Sequence, residues 1–401
     1  MRKSPIFKIS VIGAFALLLT GCQTDSLSEN VEEIDSASYT SQSIPGMYIV
    51  VYNNSNSKIS NLQKPNSLVE YKSQMNTLKT TFVNEFKSIG LQEDKIKNTY
   101  GHSIKGFSAS LTEAQAETLR NDPRVASVEQ DFTIKKGKPG GGGGGSSAQV
   151  IPYGTTRVGG GLSASDNTAW VIDSGIDLDH LDLNVDVARS ISFLTGSPSN
   201  LSPDDQNGHG THVAGTIGAR DNTFGSVGVA PGNLVVAVRV LDRRGSGSTS
   251  GVIAGVDYVA ANGSSGDVAN MSLGGGVSSA LDNAVIAASA DVIFVLAAGN
   301  ETDDANNHSP ARANGPNIYT ISAMNSSDNW ASFSNYGSPV DYCAPGVAIY
   351  STWKGGGYNT ISGTSMAAPH AAGVLLFGTP PSTSGTVNND PDGNADSIIS
   401  L

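Results

Sequence analysis

Apolar positions along the chain follow two unlike patterns, separated by a run of six glycines at 140–145. Before the glycines, "MYIVVYN" alternates as a strand, and Leu68, Tyr71, Met75, Leu78, Phe82, Phe86 and Ile89 then recur at threes and fours, one face of a long helix. "KIKNTYG" and "IKGFSASL" predict two more strands. Thr112 and Gln115 form a capping box that opens a second helix, "TEAQAETLRND", and "VASVEQD" supplies a last strand. The order βαββαβ is that of a ferredoxin-like α+β domain. After the glycines, short wholly apolar runs ("TAWVID", "NLVVAVRVL", "VANMSLG", "VIFVLAAG") alternate with helical patterns such as "TSGVIAGVDYVAAN" and "SALDNAVIAASA". That alternation predicts an α/β domain, a parallel sheet with helices on both faces, whose sites gather at the carboxyl ends of the strands.

The ends of the chain read differently. Arg2, Lys3 and Lys8 precede an apolar run ending "AFALLLTGC", too short to span a bilayer and shaped like an export signal. Leu19-Thr20-Gly21-Cys22 resembles the lipobox of bacterial lipoproteins, which implies a lipidated Cys22 as membrane anchor. The expected division is 1–21 signal, 22–45 polar tether, 46–134 small domain, 135–147 linker and 148–401 large domain. Beyond Phe377 the chain is a polar, Pro/Gly-rich tail.

Composition narrows the function. A formal net charge of −12 leaves no basic footprint for nucleic acid. The two cysteines, Cys22 and Cys343, build no disulfide framework, and Cys343 in "VDYCAPGV" is expected to be a buried free thiol.

Four residues at strand or helix ends match the needs of amide hydrolysis: a nucleophile, a base, an orienting carboxylate and an oxyanion donor. Asp173 closes "TAWVID", where a turn or capping role is the plain alternative. His209 lies in "NGHGTHVAGTIGA", whose small residues let a helix approach the core while the ring faces a cleft. His212, three residues on, raises a metal pair as an alternative, but no Glu stands between the two as a zinc-protease helix requires, so a buried structural histidine is expected. Ser365, in "SGTSMAAPHAAGVLLFG", opens an apolar helix whose first N–H groups face an oxyanion, although helix-start serines are commonly caps. Asn300 ends "VLAAGN" and is a second oxyanion donor or a turn asparagine.

Taken together, these three strings resemble the Asp, His and Ser boxes of the subtilisin-like serine proteases, in that chain order. The resemblance runs from about Ala148 to Gly378, and the small domain looks like the family's inhibitory propeptide. It implies a zymogen of a serine endopeptidase acting through an acyl-enzyme, with Asp173 as orienter, His209 as base then acid, Ser365 as nucleophile, and Asn300 with the Ser365 N–H as oxyanion hole. It implies Ser272, Leu273 and Gly274 on one side of an extended substrate and Gly245, Ser246 and Gly247 on the other. Ala297, Ala298 and Gly299 would form a wall of the pocket for the P1 side chain, the one before the cut bond. Those small neutral residues suggest apolar or aromatic P1 groups, while Glu301 just beyond could admit a basic one. It further implies structural Ca2+ held by Gln149, Asp182 and Asn222, and a weaker site at Asp341 with backbone near Pro316; these hard oxygen donors suit that ion. The expected partners are peptide substrates and the chain's own propeptide, with the enzyme acting as a monomer. The rival reading is a catalytically inactive binding protein on the same fold.

Overall fold

The computed structural model describes residues 41–53, 62–135 and 148–401. The signal segment, Cys22, most of the tether and nearly all of the linker lie outside the described residues.

The small domain is a four-stranded antiparallel sheet covered by two helices. Its elements are β1 (Ser43–Tyr52), α1 (Leu68–Glu85), β2 (Ile96–Tyr100), β3 (Gly106–Ser110), α2 (Glu113–Arg120) and β4 (Val125–Lys135), in the spatial order β2-β3-β1-β4. Ser67 caps α1, and the Thr112–Gln115 box caps α2 as the spacing predicts. Two boundaries move. The pattern placed Phe86 and Ile89 on the long helix, but α1 stops at Glu85 and Ile89 lies in a separate short turn that ends on Gly90 at φ 76°. The first strand starts at Ser43, ahead of the expected boundary at 46, because Gln130 Nε2 donates to the Ile44 and Met47 carbonyls and the Thr133 N–H to that of Gln42.

The large domain carries β5 (Ala169–Asp173), α3 (His209–Gly218), β6 (Leu234–Arg239), β7 (Ser246–Ser248), α4 (Thr249–Asn262), β8 (Val268–Met271), α5 (Ser279–Ala288), β9 (Ile293–Ala297), β10 (Ile318–Met324), β11 (Val340–Pro345) and α6 (Thr364–Leu375). Strands β11-β10-β9-β8-β5-β6 lie side by side, all parallel. Successive strand residues point to opposite faces. Trp170 and Ile172 pack with α4 and α5, whereas Ala169 and Val171 pack with α3 and α6, so β5 is apolar throughout. The polar tail is ordered: β12 (Ser382–Thr386) and β13 (Ser397–Ser400) form a hairpin, and β13 adds in parallel beside β11. Its Ile398 and Ile399 are buried, and β12 pairs outside it as the last strand of that edge. Cys343 is buried and free, its thiol pKa pushed up by burial.

The small domain docks on α4 and α5, and its core is continuous with theirs. Tyr71 meets Tyr258 edge-on with ring centroids 4.9 Å apart. Carboxylates fix the contact in both directions. Asp131 takes the Ser250 N–H and hydroxyl at the start of α4, and Glu129 takes the Ala280 N–H and Ser278 hydroxyl at the start of α5. In return Asp257 of α4, fully buried, accepts from the N–H groups of Gly101, His102 and Ser103 and from the Ser103 hydroxyl. Replacing Asp257 by Leu leaves those donors buried without partners, at ~1–3 kcal/mol each when unrelieved. In the full chain carrying Ser365→Ala, to prevent self-cleavage, chemical denaturation is expected to show a loss of about 2–4 kcal/mol.

Candidate active site

Asp173 is the last residue of β5 and wholly buried. Both carboxylate oxygens lie 2.9 Å from His209 Nδ1, and the Ser174 N–H donates to Oδ1 at 2.6 Å. His209 is the first residue of α3, reached through Gly208 at φ 110°. That helix sits close to the end of β5 because Gly210 has no side chain: a Cβ there would run into the Gly175 carbonyl. Asp205, which the sequence reading passed over, pins the same turn. Its buried carboxylate takes the N–H groups of Asn207, Gly208 and Thr211 and the Thr211 and Ser174 hydroxyls. Burial still raises its pKa. His212 is fully buried with Nε2 on the Ile349 carbonyl at 2.9 Å, and its pKa is pushed down to about 3 by desolvation. Its ring is packed in the core and bonded to the Ile349 carbonyl while His209 Nδ1 is bonded to Asp173, so His212 is a buried structural histidine, as expected.

Ser365 stands in the first turn of α6, and its hydroxyl donates to the Ser272 carbonyl at 3.2 Å rather than to the imidazole. The Ser272 hydroxyl returns a bond to the Ser365 carbonyl at 2.8 Å. Asn300 follows β9, and its Oδ1 accepts from the Thr364 N–H and hydroxyl, which turns Nδ2 outward with no partner among the described residues. A Cβ built on Gly363 would lie 3.7 Å from both Asn300 Nδ2 and Ser365 N. Two donors without a partner among the described residues therefore lie either side of the space in front of Gly363.

The substrate-binding candidates converge as well. Strand β4 of the small domain runs antiparallel to β7, pairing Thr133 with Ser248, Ile134 with Gly247 and Lys135 with Ser246, and Lys135 also bridges to Gly274. The end of β4 thus lies between the Ser246–Ser248 segment and Gly274. Beside it is a cleft lined by Leu273, Gly274, Ala297, Ala298, Gly299, Glu301 and also His308, which the sequence reading did not single out. With this segment in place, His209 is 2% and Ser365 4% exposed.

Gln149, Asp182 and Asn222 come together in one cluster. Gln149 Oε1 accepts the Asn222 N–H, Asn222 Nδ2 donates to Asp182 Oδ1 at 2.7 Å, and the Ser226 N–H and Tyr358 hydroxyl approach Asp182 Oδ2. Arg220, whose charge would oppose a cation, turns its side chain to the Leu183 carbonyl. The amide and carboxylate oxygens fit a hard cation. Asp341 lies apart, in β11, where it accepts the Thr320 N–H and burial raises its pKa to about 6.

Comparison with known proteins decides the family. Residues 169–377 match the model of the subtilase family and residues 47–136 that of peptidase inhibitor I9. Subtilisin-like serine protease AsES of Sarocladium strictum is 40% identical over 80% of this chain and 80% of its own. Extracellular serine proteinase of a Thermus strain is 36% identical over 90% of this chain and 87% of its own. The chain also spans 54% of alkaline serine exoprotease A of Vibrio alginolyticus, at 47% identity. The crystal structure of a cold adapted subtilisin-like serine proteinase superposes with a TM-score of 0.52 at 40% identity, covering 62% of this chain and 97% of the other. The chain belongs to the subtilase family. It is a serine-type endopeptidase, and its I9 domain makes it one with a built-in inhibitor.

The space between the free donors yields a test. Gly363→Ala puts a methyl group there and strains a residue at φ 153°. Turnover of a peptide anilide should fall about a hundredfold, the scale taken from subtilisin for losing one oxyanion donor, while circular dichroism shows a folded enzyme.

Proposed function

We propose that Asp173, His209 and Ser365 are the catalytic triad of this subtilase and that Asn300 Nδ2 with the Ser365 N–H forms its oxyanion hole. The observation that carries the reading is the buried contact of Asp173 with His209 Nδ1 at 2.9 Å. It fixes the tautomer, leaving Nε2 as the base. When substrate binds, the Ser365 hydroxyl leaves the Ser272 carbonyl and gives its proton to Nε2 as Oγ attacks the peptide carbonyl. The oxyanion takes up the two free donors, the imidazolium protonates the leaving amine, and water then hydrolyses the acyl-enzyme by the same steps. Exposed glycine-rich edges bind main chain with little side-chain selectivity, so specificity is broad, with an apolar or aromatic P1 preference set by the Ala297–Gly299 wall.

The division into propeptide (46–134), linker (135–147) and peptidase domain (148–401) follows from the same reading. Strand β4 in the cleft supports the small domain as inhibitor, and the lipobox at Cys22 supports export as an anchored precursor. Cutting the linker severs that anchor and frees the peptidase domain. Ser365→Ala should therefore accumulate full-length protein in the membrane fraction, whereas wild type yields a soluble catalytic domain. Normal maturation of the variant in a host lacking other proteases would refute self-processing; a membrane-bound mature enzyme would refute release.

Calcium would be held by Gln149, Asp182 and Asn222, where it neutralises a buried carboxylate and ties the segment after Ala148 to the 220–226 loop. Excess chelator should lower the thermal midpoint, by an amount that grows with the free ion concentration it removes, and should speed autolysis. An unchanged midpoint would remove the ion from this account.

A further inference from the structure

We propose that Asn335 is a positioning residue for the reaction: it holds the main chain on both sides of Asn300 and so fixes where the Nδ2 donor stands. The inference rests on the reading of Asn300 as an oxyanion donor.

The turn that carries Asn300 is not one the chain keeps unaided. Gly299 before it has φ 111° and Thr302 after it φ 55°, so two nearby residues lie in the left-handed region, and the second has a β-branched side chain. Such a turn persists only where its surroundings over-determine it. Thr364 does this for the side chain of Asn300, at Oδ1, and reaches the main chain only at the Gly299 N–H, at 3.2 Å. The rest of the main chain is held from another segment.

That segment follows β10, and in it Asn335 is wholly buried. Asn335 Nδ2 donates to the Ala298 carbonyl at 3.0 Å and to Glu301 Oε2 at 2.7 Å. Its Oδ1 accepts the N–H groups of Glu301 at 2.9 Å and of Asp303 at 3.0 Å. Its own N–H donates to the Gly299 carbonyl at 3.0 Å. A side-chain amide has two N–H donors and two acceptor lone pairs, and here all of them serve one turn. Asn300 sits in the middle and is reached at one remove, because Glu301 Oε2 also accepts the Asn300 N–H at 2.9 Å. The approach is close: a Cβ on Gly299 would run into Asn335 Nδ2. Asn335 is itself anchored, since the Ser334 hydroxyl donates to its carbonyl and accepts the Ala323 N–H of β10. The place of Asn300 is thereby referred to the parallel sheet.

Positioning of this kind bears on the transition state. The Asn300 amide meets a full charge only when the substrate carbonyl becomes an oxyanion, so displacing it lowers turnover and leaves ground-state binding nearly as it was. A residue that only shaped the Ala297–Gly299 wall would act on KM, and one that only held the fold would act whether or not Asn300 is present.

The test is a double-mutant cycle on mature enzyme cutting one peptide anilide, each variant precursor being matured by a trace of tagged wild type that is then removed through its tag. Asn335→Ala should lower kcat about thirtyfold, less than the loss of a donor outright, with KM within about threefold of wild type. In an Asn300→Ala background the same change should cost less than about threefold in kcat, because the donor it positions is gone. Asn335→Asp keeps the shape of the side chain and the two bonds it accepts, and should give the same pattern where the alanine variant does not fold. An equal loss of kcat in both backgrounds, or a loss carried by KM, overturns the proposal. Failure of the underlying reading shows differently: Asn300→Ala alone then keeps kcat within about threefold of wild type.

Discussion

A carboxylate with no access to water must be held by donors, and Asp173 is the point on which this structure turns. It ends a strand buried on both faces, so its oxygens meet only the Ser174 N–H and the His209 imidazole. That contact requires α3 to approach β5 more closely than side chains allow, which explains glycine at 210 against the Gly175 carbonyl. Asp205 then supplies the acceptors that the first turn of α3 would otherwise lack. The imidazole is positioned by packing of main chain against main chain and by a second buried carboxylate, not by its own rotamer freedom.

The same economy of helix ends governs the docking of the small domain. Helices α4 and α5 present unpaired N–H groups, and Asp131 and Glu129 of β4 satisfy them. These two residues lie just upstream of Thr133, Ile134 and Lys135, which pair with the cleft edge. Capping thus sets the register in which β4 enters the cleft. Inhibition follows from where the strand is anchored, and it needs no contact to the nucleophile.

Much of this was legible in the chain. Short wholly apolar runs located β5, β6, β8 and β9, period-3.6 patterns located α4 and α5, and the Thr112–Gln115 spacing named a capping box that is present, because each signal is local. The triad candidates stood out because glycines and small residues around His209 and Ser365 have a packing reason. Less legible were features that depend on pairing between distant segments. His308 lines a cleft only because its strand pairs with Gly276, thirty-two positions upstream. Asp205 looked like one acidic residue among several in a loop. The tail read only as polar and Pro/Gly-rich because β12 is exposed throughout and β13 is short, its two isoleucines acquiring a role only beside β11.

Glu301 links specificity to chemistry in a way neither site shows alone. One of its oxygens, Oε2, holds the backbone of Asn300, whose side chain is fixed at Oδ1 by Thr364 with Nδ2 beside Gly363. The other is buried, in a residue that lines the cleft beside Leu273 and Gly274. The same Oε2 takes Asn335 Nδ2, so one buried carboxylate ties Asn300 to the segment that follows β10. A donor misplaced by a fraction of an ångström acts on the transition state more than on the ground state. The place of Asn300 therefore depends on a buried carboxylate as well as on Thr364, through bonds made by main chain and side chain in turn.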